Sequence, residues 1–472
     1  MKFSEYASYD GLGLAQLVAN NEVTPEELAA CARRAIEEKN PSINAVLATL
    51  DDQPYAAGQP FSGVPFLVKE LVLQAKGAPC RSGSRATPNT PGTVDSTLMQ
   101  RFRQAGLRLM GTTQSPEMGY NATTETVAFG PVHNPWKSGH SAGGSSGGSG
   151  AAVAAGIVPI AHANDGGGSI RVPASCNGLV GLKPTRDRTP TGPAASDPLF
   201  AHAIEFVVSK SVRDCAALLD CVAGPDLGAP HLIAPPLKPF SEAAQASERL
   251  KIGVLEGSML GTSTHPENVL AVQNTAQRLE RLGHTLIECP LLLDFEEFSM
   301  NINLIWCAFA AQFVKQVTAA TGCPADNDHF EAVTLTCAEF GAKTTVVELL
   351  GAMDYVNRIT RETAGVFQDI DVLMSSTLAT PPPKHGVLDQ NDPSISALDW
   401  TRETFRYATN TPLFNSTGQP AISLPLHWTA DDLPVGVQFA AGMGEEGLLL
   451  GLARELEADD DWSQQQQRIW QS

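Results

Sequence analysis

Gly143-Gly-Ser-Ser-Gly-Gly-Ser-Gly150 has the composition of a flexible linker. Runs of this kind have no side chains to pack and behave as random coil. Yet the octapeptide follows Asn134-Pro-Trp136 closely and runs straight into Ala151-Ala-Val-Ala-Ala-Gly-Ile-Val-Pro-Ile-Ala161, which reads as core. A linker joins separate bodies, whereas this run is continuous with the interior of one. Residues 151 to 156 predict a helix and 157 to 161 a strand, so the glycines and serines sit where the chain enters a buried helix.

Outward from there, helices and strands alternate. Towards the N-terminus, Leu107–Met110 predicts a strand, Thr97–Ala105 a helix and Val64–Val68 a buried strand. Thr24-Pro-Glu-Glu27 combines an N-cap threonine, a proline at the first helical position and a capping-box glutamate. The helix it starts is expected to end at Asn40-Pro41, and Asp10 is expected to cap a preceding one. Towards the C-terminus, a helix is expected at about 213–223 and a long surface connection at 224–247. Strands follow at Lys251–Leu255 and Thr285–Ile287, with a helix from Val269 to Leu282 between them. Residues 295 to 370 read as mostly helical, Val372–Met374 as a strand, and Ala421–Pro425 with Val435–Phe439 as a late strand pair. The end, Trp462-Ser-Gln-Gln-Gln-Gln-Arg-Ile-Trp-Gln-Ser472, reads as a polar tail. Strands alternating with helices indicate an α/β fold.

Composition narrows the classes. The chain has 472 residues, 43% hydrophobic and 18% charged, which describes an ordinary globular protein. A formal net charge of −19 argues against nucleic acid and against anionic membrane surfaces as partners. The longest apolar stretch, 151–161, is far short of the ~20 residues a spanning helix needs, and the first residues show no signal-peptide core. Nine cysteines, none in a C-x-x-C pair, support neither a disulfide framework nor a zinc knuckle. A reduced, cytoplasmic protein is expected.

Chemistry is concentrated in glycine-rich clusters. Gly143-Gly-Ser145-Ser-Gly147 fits G-x-S-x-G, but a Gly/Ser run meets that pattern by composition alone. An α/β-hydrolase would also need a histidine. His265, His284, His329, His385 and His427 are present, none in a context that sets it apart from surface or packing roles. No metalloprotease, S-x-x-K or P-loop motif occurs, so no metal or cofactor is expected. The second cluster is Asn164-Asp-Gly-Gly-Gly-Ser-Ile-Arg171. It is either a glycine-rich turn or an array of backbone N–H groups able to hold an oxyanion beside Ser169. Ser145 and Ser169 stand 24 positions apart, and the helix and strand between them can fold back to bring the two together. A serine nucleophile needs a base. Lys69, directly after the apolar run Gly63-Val-Pro-Phe-Leu-Val68, is a candidate if burial lowers its pKa; a structural lysine at a strand end is the alternative.

Taken together, Gly63–Lys69, Gly143–Ser149, Asp165–Arg171, Pro173 and Gly181-Leu-Lys-Pro-Thr185 resemble the amidase signature family, in order and in spacing. The resemblance extends to Gly418–Pro425 and covers nearly the whole chain. It implies a single domain over 1–472: a mixed, twisted sheet flanked by helices (α/β/α), with the signature core at about 60–215 and a helical substrate-entrance subregion at about 295–370. It implies that Lys69, Ser145 and Ser169 are catalytic. A cis peptide bond would precede Ser145, which bridges lysine and nucleophile. It further implies that the N–H groups of Gly166, Gly167, Gly168 and Ser169 form an oxyanion hole, and that Asp165 and Arg171 brace the loop. Asn164 and Gly166 depart from the threonine and aliphatic residue many members carry beside the aspartate; Gly166 loosens the loop while leaving its donors in place.

Within the family, the stretches 116–125, 134–156, 161–175 and 414–426 look closest to the 6-aminohexanoate cyclic-dimer hydrolases and their neighbours, which act on linear, cyclic and aryl amides, nylon oligomers and carbamates. Met118, Gly119 and Tyr120 are expected to line the substrate pocket; Tyr120 departs from the asparagine of the nylon-oligomer enzymes, which speaks against cyclic-dimer activity itself. Trp306 and Cys307 are read either as a cap on the acyl pocket or as ordinary helix packing. The expected activity is hydrolysis of small amides or carbamates (urethanes included) by a monomer or homodimer. The alternatives are a glutamyl-tRNA amidotransferase A-like subunit working with partners, and a non-catalytic relative. Retention of Lys69, Ser145 and Ser169 argues against the last.

Overall fold

A computed structural model describes residues 1–51, 53–195, 197–245 and 249–471. Thirteen strands occur among them: β1 Val46–Thr49, β2 Pro65–Lys69, β3 Arg108–Thr113, β4 Glu125–Thr126, β5 Gly130–Pro131, β6 Ile160–Asp165, β7 Val180–Lys183, β8 Ile204–Ser209, β9 Lys251–Leu255, β10 Thr285–Glu288, β11 Val372–Ser376, β12 Ala421–Trp428 and β13 Pro434–Ala441. Eleven of them form one mixed sheet in the order β1-β3-β2-β6-β8-β7-β12-β13-β11-β9-β10, flanked by helices, while β4 and β5 pair separately. β2 runs parallel to both β3 and β6, so the C-terminal ends of β2 and β6 lie side by side. That edge is where open α/β sheets place their ligands. Here it carries Lys69 and Asp165.

The Gly/Ser run is packed solid. Every residue from Ser141 to Gly150 is buried, and the helix Gly147–Ala154 starts inside the run, four residues before the expected position. Side chains are excluded there by contact. A Cβ on Gly144 would lie 2.4 Å from the Thr123 carbonyl oxygen, and one on Gly148 2.5 Å from the Gln114 nitrogen. Glycine in this stretch serves close backbone approach.

Other expectations shift for identifiable reasons. The helix begun by Thr24 passes Pro41 and ends at Ile43. Asn44, in the left-handed conformation, closes it by donating to the Asn40 carbonyl, and Asn40 Oδ1 accepts from Ala45 and Val46. Pro41 so late in a helix costs little, because the turn it weakens is the last one. The polar tail is the helix Ser463–Gln471, in which Trp470 is buried with its Nε1 donating to the Ala154 carbonyl. That bond satisfies a carbonyl left open at the end of the helix Gly147–Ala154. The 224–247 connection includes one helical turn, Phe240–Ala243; its residues 246 and 247 lie outside the described set. Three helices, Phe295–Thr321, Ala332–Lys343 and Val346–Val366, fill the region expected to be helical. With the helix Ala397–Tyr407, their apolar faces form a second buried cluster beside the main one around the sheet.

Candidate active site

Lys69 ends β2 with no exposed surface. Its Nζ lies 2.6 Å from Ser145 Oγ, 3.0 Å from Ser146 Oγ and 2.6 Å from Asn164 Oδ1. Burial lowers its pKa to about 7, against the opposing pull of Glu205 and Asp165. Near neutral pH, therefore, a good part of the population carries an unprotonated amine, the form a base requires. Ser145 precedes the buried helix, and its peptide bond from Gly144 is cis.

Ser169 follows the three glycines after β6 and is 8% exposed. It lines a narrow cavity of about 20 Å³ with Gly144, Tyr120, Trp306, Val172 and Phe405. Among the described residues no hydrogen bond joins Ser145 to Ser169, although Gly144 and Ser169 share the cavity wall. The N–H groups of Gly166, Gly167 and Ser169 meet no protein acceptor among the described residues. Gly168 is different and corrects the expected donor set. Its N–H is already engaged by Asp165 Oδ1 at 2.6 Å, which removes it as an oxyanion donor.

Asp165 and Arg171 lie wholly buried as a bidentate pair, Nε to Oδ2 and Nη2 to Oδ1 both at 2.9 Å. Burial alone would raise the Asp165 carboxyl, but the Arg171 guanidinium overrides it and holds the pKa at about 2. Asp165 also accepts from the N–H of Ile170. Arg171 reaches on to the Thr411 carbonyl, Gln438 and Asn415. The carboxylate thus shapes the loop from within, and the guanidinium anchors it to the C-terminal third of the chain.

The pocket candidates divide. Gly119, Tyr120 and Trp306 lie on the cavity wall, and the Tyr120 and Trp306 rings stack at 4.3 Å with 7° between planes. Met118 and Cys307 do not reach the wall. Met118 adopts φ 58 and donates its N–H to the Ser82 carbonyl. Cys307 follows Trp306 by one residue, so the helix turns it about 100° away. Its Sγ meets Asn303 Oδ1 at 3.2 Å, and its backbone presses on Gly341 of the neighbouring helix. Gly166 has a use the sequence does not announce: a Cβ there would lie 2.9 Å from Leu199 Cδ1 and 3.2 Å from the Trp306 ring, so glycine lets the indole close over the loop. Ser146, His162, Glu205, Thr404 and Phe405 also border the lysine or the cavity, and sequence reasoning misses them. Glu205 carries a faint signal as a lone acid in the apolar strand Ile-Glu-Phe-Val-Val-Ser; the others carry none. Among the described residues no group of three His, Cys, Asp or Glu side chains is placed to hold a metal ion.

Residues 20–450 match the family model described as Amidase. The chain belongs to the Amidase family. It is 33% identical to the 6-aminohexanoate-cyclic-dimer hydrolase of Paenarthrobacter ureafaciens, over 96% of this chain and 95% of that protein. The structure of 6-aminohexanoate cyclic dimer hydrolase complexed with substrate superimposes with a TM-score of 0.91 at 32% identity, covering 98% of this chain and 99% of the other. The glutamyl-tRNA(Gln) amidotransferase structure from Thermotoga maritima matches with a TM-score of 0.73 at 24% identity, over 93% and 92% of the two chains, which shows a common fold. No helix among the described residues is long and apolar enough to cross a membrane.

Proposed function

We propose that this member of the Amidase family hydrolyses C–N bonds in small amides through an acyl-enzyme on Ser169, with Lys69 as base and Ser145 as relay. The observation that carries the reading is the buried Lys69 amine, 2.6 Å from Ser145, beside a cavity where Ser169 meets unclaimed backbone N–H groups. The neutral amine takes the proton of Ser145, and Ser145 takes that of Ser169. Ser169 Oγ then adds to the amide carbon. The oxyanion is held by N–H groups of Gly166, Gly167 and Ser169. Collapse of the adduct breaks the C–N bond as the relayed proton passes to the leaving nitrogen. Water, deprotonated by the same relay, then releases the acid. The contact between the two serines closes when substrate fills the cavity, as catalytic hydrogen bonds often do.

The narrow, aromatic-walled cavity favours slim, uncharged acyl groups. Aryl amides, carbamates and nylon oligomers are the substrate classes to test first. The site is complete within one chain, which suits a monomer or homodimer, and the free cysteines suit a cytoplasmic setting. We take residues 1–472 as a single amidase domain in which 295–370 shapes the entrance.

The test is hydrolysis of a p-nitroanilide, an aryl carbamate, a nylon dimer and a simple amide by the purified chain, beside Ser169→Ala and Lys69→Ala. Cleavage of at least one, lost by roughly 10⁴-fold or more in both variants, is expected. Activity that survives Ser169→Ala would overturn the mechanism.

A further inference from the structure

Lys69 is gripped at both ends by one closed ring of hydrogen bonds. Its Nζ donates to Asn164 Oδ1; Asn164 Nδ2 donates to Glu205 Oε1 at 3.1 Å; Glu205 Oε2 lies 3.1 Å from His162 Nε2; and His162 Nδ1 accepts the backbone N–H of Lys69 at 3.3 Å. All four residues are buried. Because Nδ1 accepts, the imidazole proton sits on Nε2 and points at Glu205. The ring spans three neighbouring strands, β2, β6 and β8.

The ring decides what the lysine's lone pair can see. Asn164 Nδ2 has two acceptors, Glu205 Oε1 and the Leu71 carbonyl, so the amide has one orientation and offers only Oδ1 to Lys69. Ser146 directs its hydroxyl proton to the Asn164 carbonyl and offers Lys69 only an acceptor. An ammonium, with three N–H bonds, satisfies Ser145, Ser146 and Asn164 together. A neutral amine has two N–H bonds and one lone pair. Two of its three neighbours can only accept, so the lone pair must face the third, which is Ser145. That is the direction in which the proposed relay runs.

We infer that Glu205, acting through Asn164 and His162, is a positioning residue that aims the Lys69 lone pair at Ser145. The inference rests on the reading of Lys69 as base. Other charged groups face the lysine but are committed elsewhere. From β6, Asp165 is paired with Arg171, and at the end of β2 Glu70 is paired with Arg81. The Cys80 thiol is pushed up to about 12 by burial and stays neutral. β3 and the helix Gly147–Ala154 present Thr113 and Ser149 hydroxyls, which bond each other. Among the described residues Glu205 of β8 is the acid hydrogen-bonded into the lysine's own network.

Glu205→Gln keeps the shape and breaks the logic. The new amide turns its oxygen to His162 Nε2–H and its NH₂ to Asn164. Asn164 Nδ2 then meets a second donor, so the amide either turns over, giving up its bond to the Leu71 carbonyl, or loses its partner at position 205 and no longer holds Oδ1 firmly on Lys69. Either way the ammonium loses a fixed acceptor and is destabilised, and the lone pair is no longer confined to Ser145. Two effects are expected in the pH dependence of kcat/KM on whichever panel amide is cleaved. The acid limb moves to lower pH by roughly one unit, and the plateau falls roughly tenfold or more. Asn164→Ala, which removes an acceptor of the ammonium, moves the limb the same way and serves if Glu205→Gln does not fold. The pH dependence of Ser169 phosphonylation by a fluorophosphonate gives the same reading without turnover. Folded variants with lower rates but an unmoved acid limb would reduce Glu205 to a structural role and overturn the inference. Failure of the base reading is separate: it is a wild-type acid limb that persists in the residual activity of Lys69→Ala.

Discussion

A lysine acts as a base only in the fraction of time it lacks its proton, so under the proposed mechanism the pH at which Lys69 ionises sets the acid side of the activity profile. Its pKa is depressed from 10.5 to about 7, first by burial. Activity should rise as pH passes upward through about 7 and fade below it. A rate plateau that continues unchanged to pH 5 would exclude Lys69 as the base. The same depression has a stability consequence of definite sign. Between about 7 and 10.5 the unfolded chain binds a proton that the native lysine does not, so this group's contribution to stability increases with pH across that window. At this scale, which side chains would come together was legible where the candidates lie in runs of consecutive residues. Lys69, Ser145 and the Asp165–Arg171 stretch each sit in a recognisable local pattern, and the fold brings them to one sheet edge. Glu205 and His162 were opaque for a physical reason: their roles arise from pairing between β2, β6 and β8, strands separated by some ninety residues of chain between the first two, and no local pattern encodes a lateral neighbour.

Elements were legible where their signals are local and misread where packing overrides composition. The capping box at Thr24 formed as expected, with Thr24 Oγ1 and Glu27 exchanging backbone bonds. The glycine run became a helix start because Gln114, Thr123 and Thr124 press against it, which composition does not report. The helix Phe295–Thr321 shows how one element can set specificity. It contributes Trp306, stacked on Tyr120, to a cavity of about 20 Å³. Tyr120 is held in turn by Thr401, whose Oγ1 also donates to Asn303 of the same helix. Removing the indole in Trp306→Ala should open room for bulkier acyl groups while Tyr120 stays fixed by its hydroxyl. The kcat/KM ratio for a phenylacetyl over an acetyl anilide should rise about tenfold or more, since each methylene accommodated or refused in an apolar pocket changes the rate by about 10–200-fold. An unchanged ratio in a folded variant would show that the substrate's acyl group lies elsewhere.

Across the whole molecule, the middle and last thirds of the chain meet at Arg171. Its guanidinium touches Asp165 at the end of β6, the Thr411 carbonyl, Asn415 in the helix Pro412–Thr417 and Gln438 of β13. No local signal in the sequence links residues 165 and 438; the sheet order does, by placing β12 and β13 beyond β7 and β8. Arg171→Met would keep much of the side-chain volume and leave Asp165 buried without its countercharge. Breaking a buried pair in this way costs about 3–5 kcal/mol. The pH dependence identifies the cause. In the native protein Asp165 is depressed from 3.8 to about 2, so its contribution is fully present above about 4 and is lost as pH falls towards 2. The gap in denaturation midpoint between the native protein and Arg171→Met should therefore be widest at neutral pH and narrow below pH 4, where the variant's carboxyl is already protonated and the native pair is beginning to be. Activity should fall further than stability, because Asp165 also holds the N–H groups of Gly168 and Ile170 and so shapes the loop on either side of Ser169. A gap in midpoint that stayed constant from pH 7 to pH 3.5 would mean that Arg171 stabilises the fold through packing, and that the charge on Asp165 is not what ties the middle of the chain to its last third.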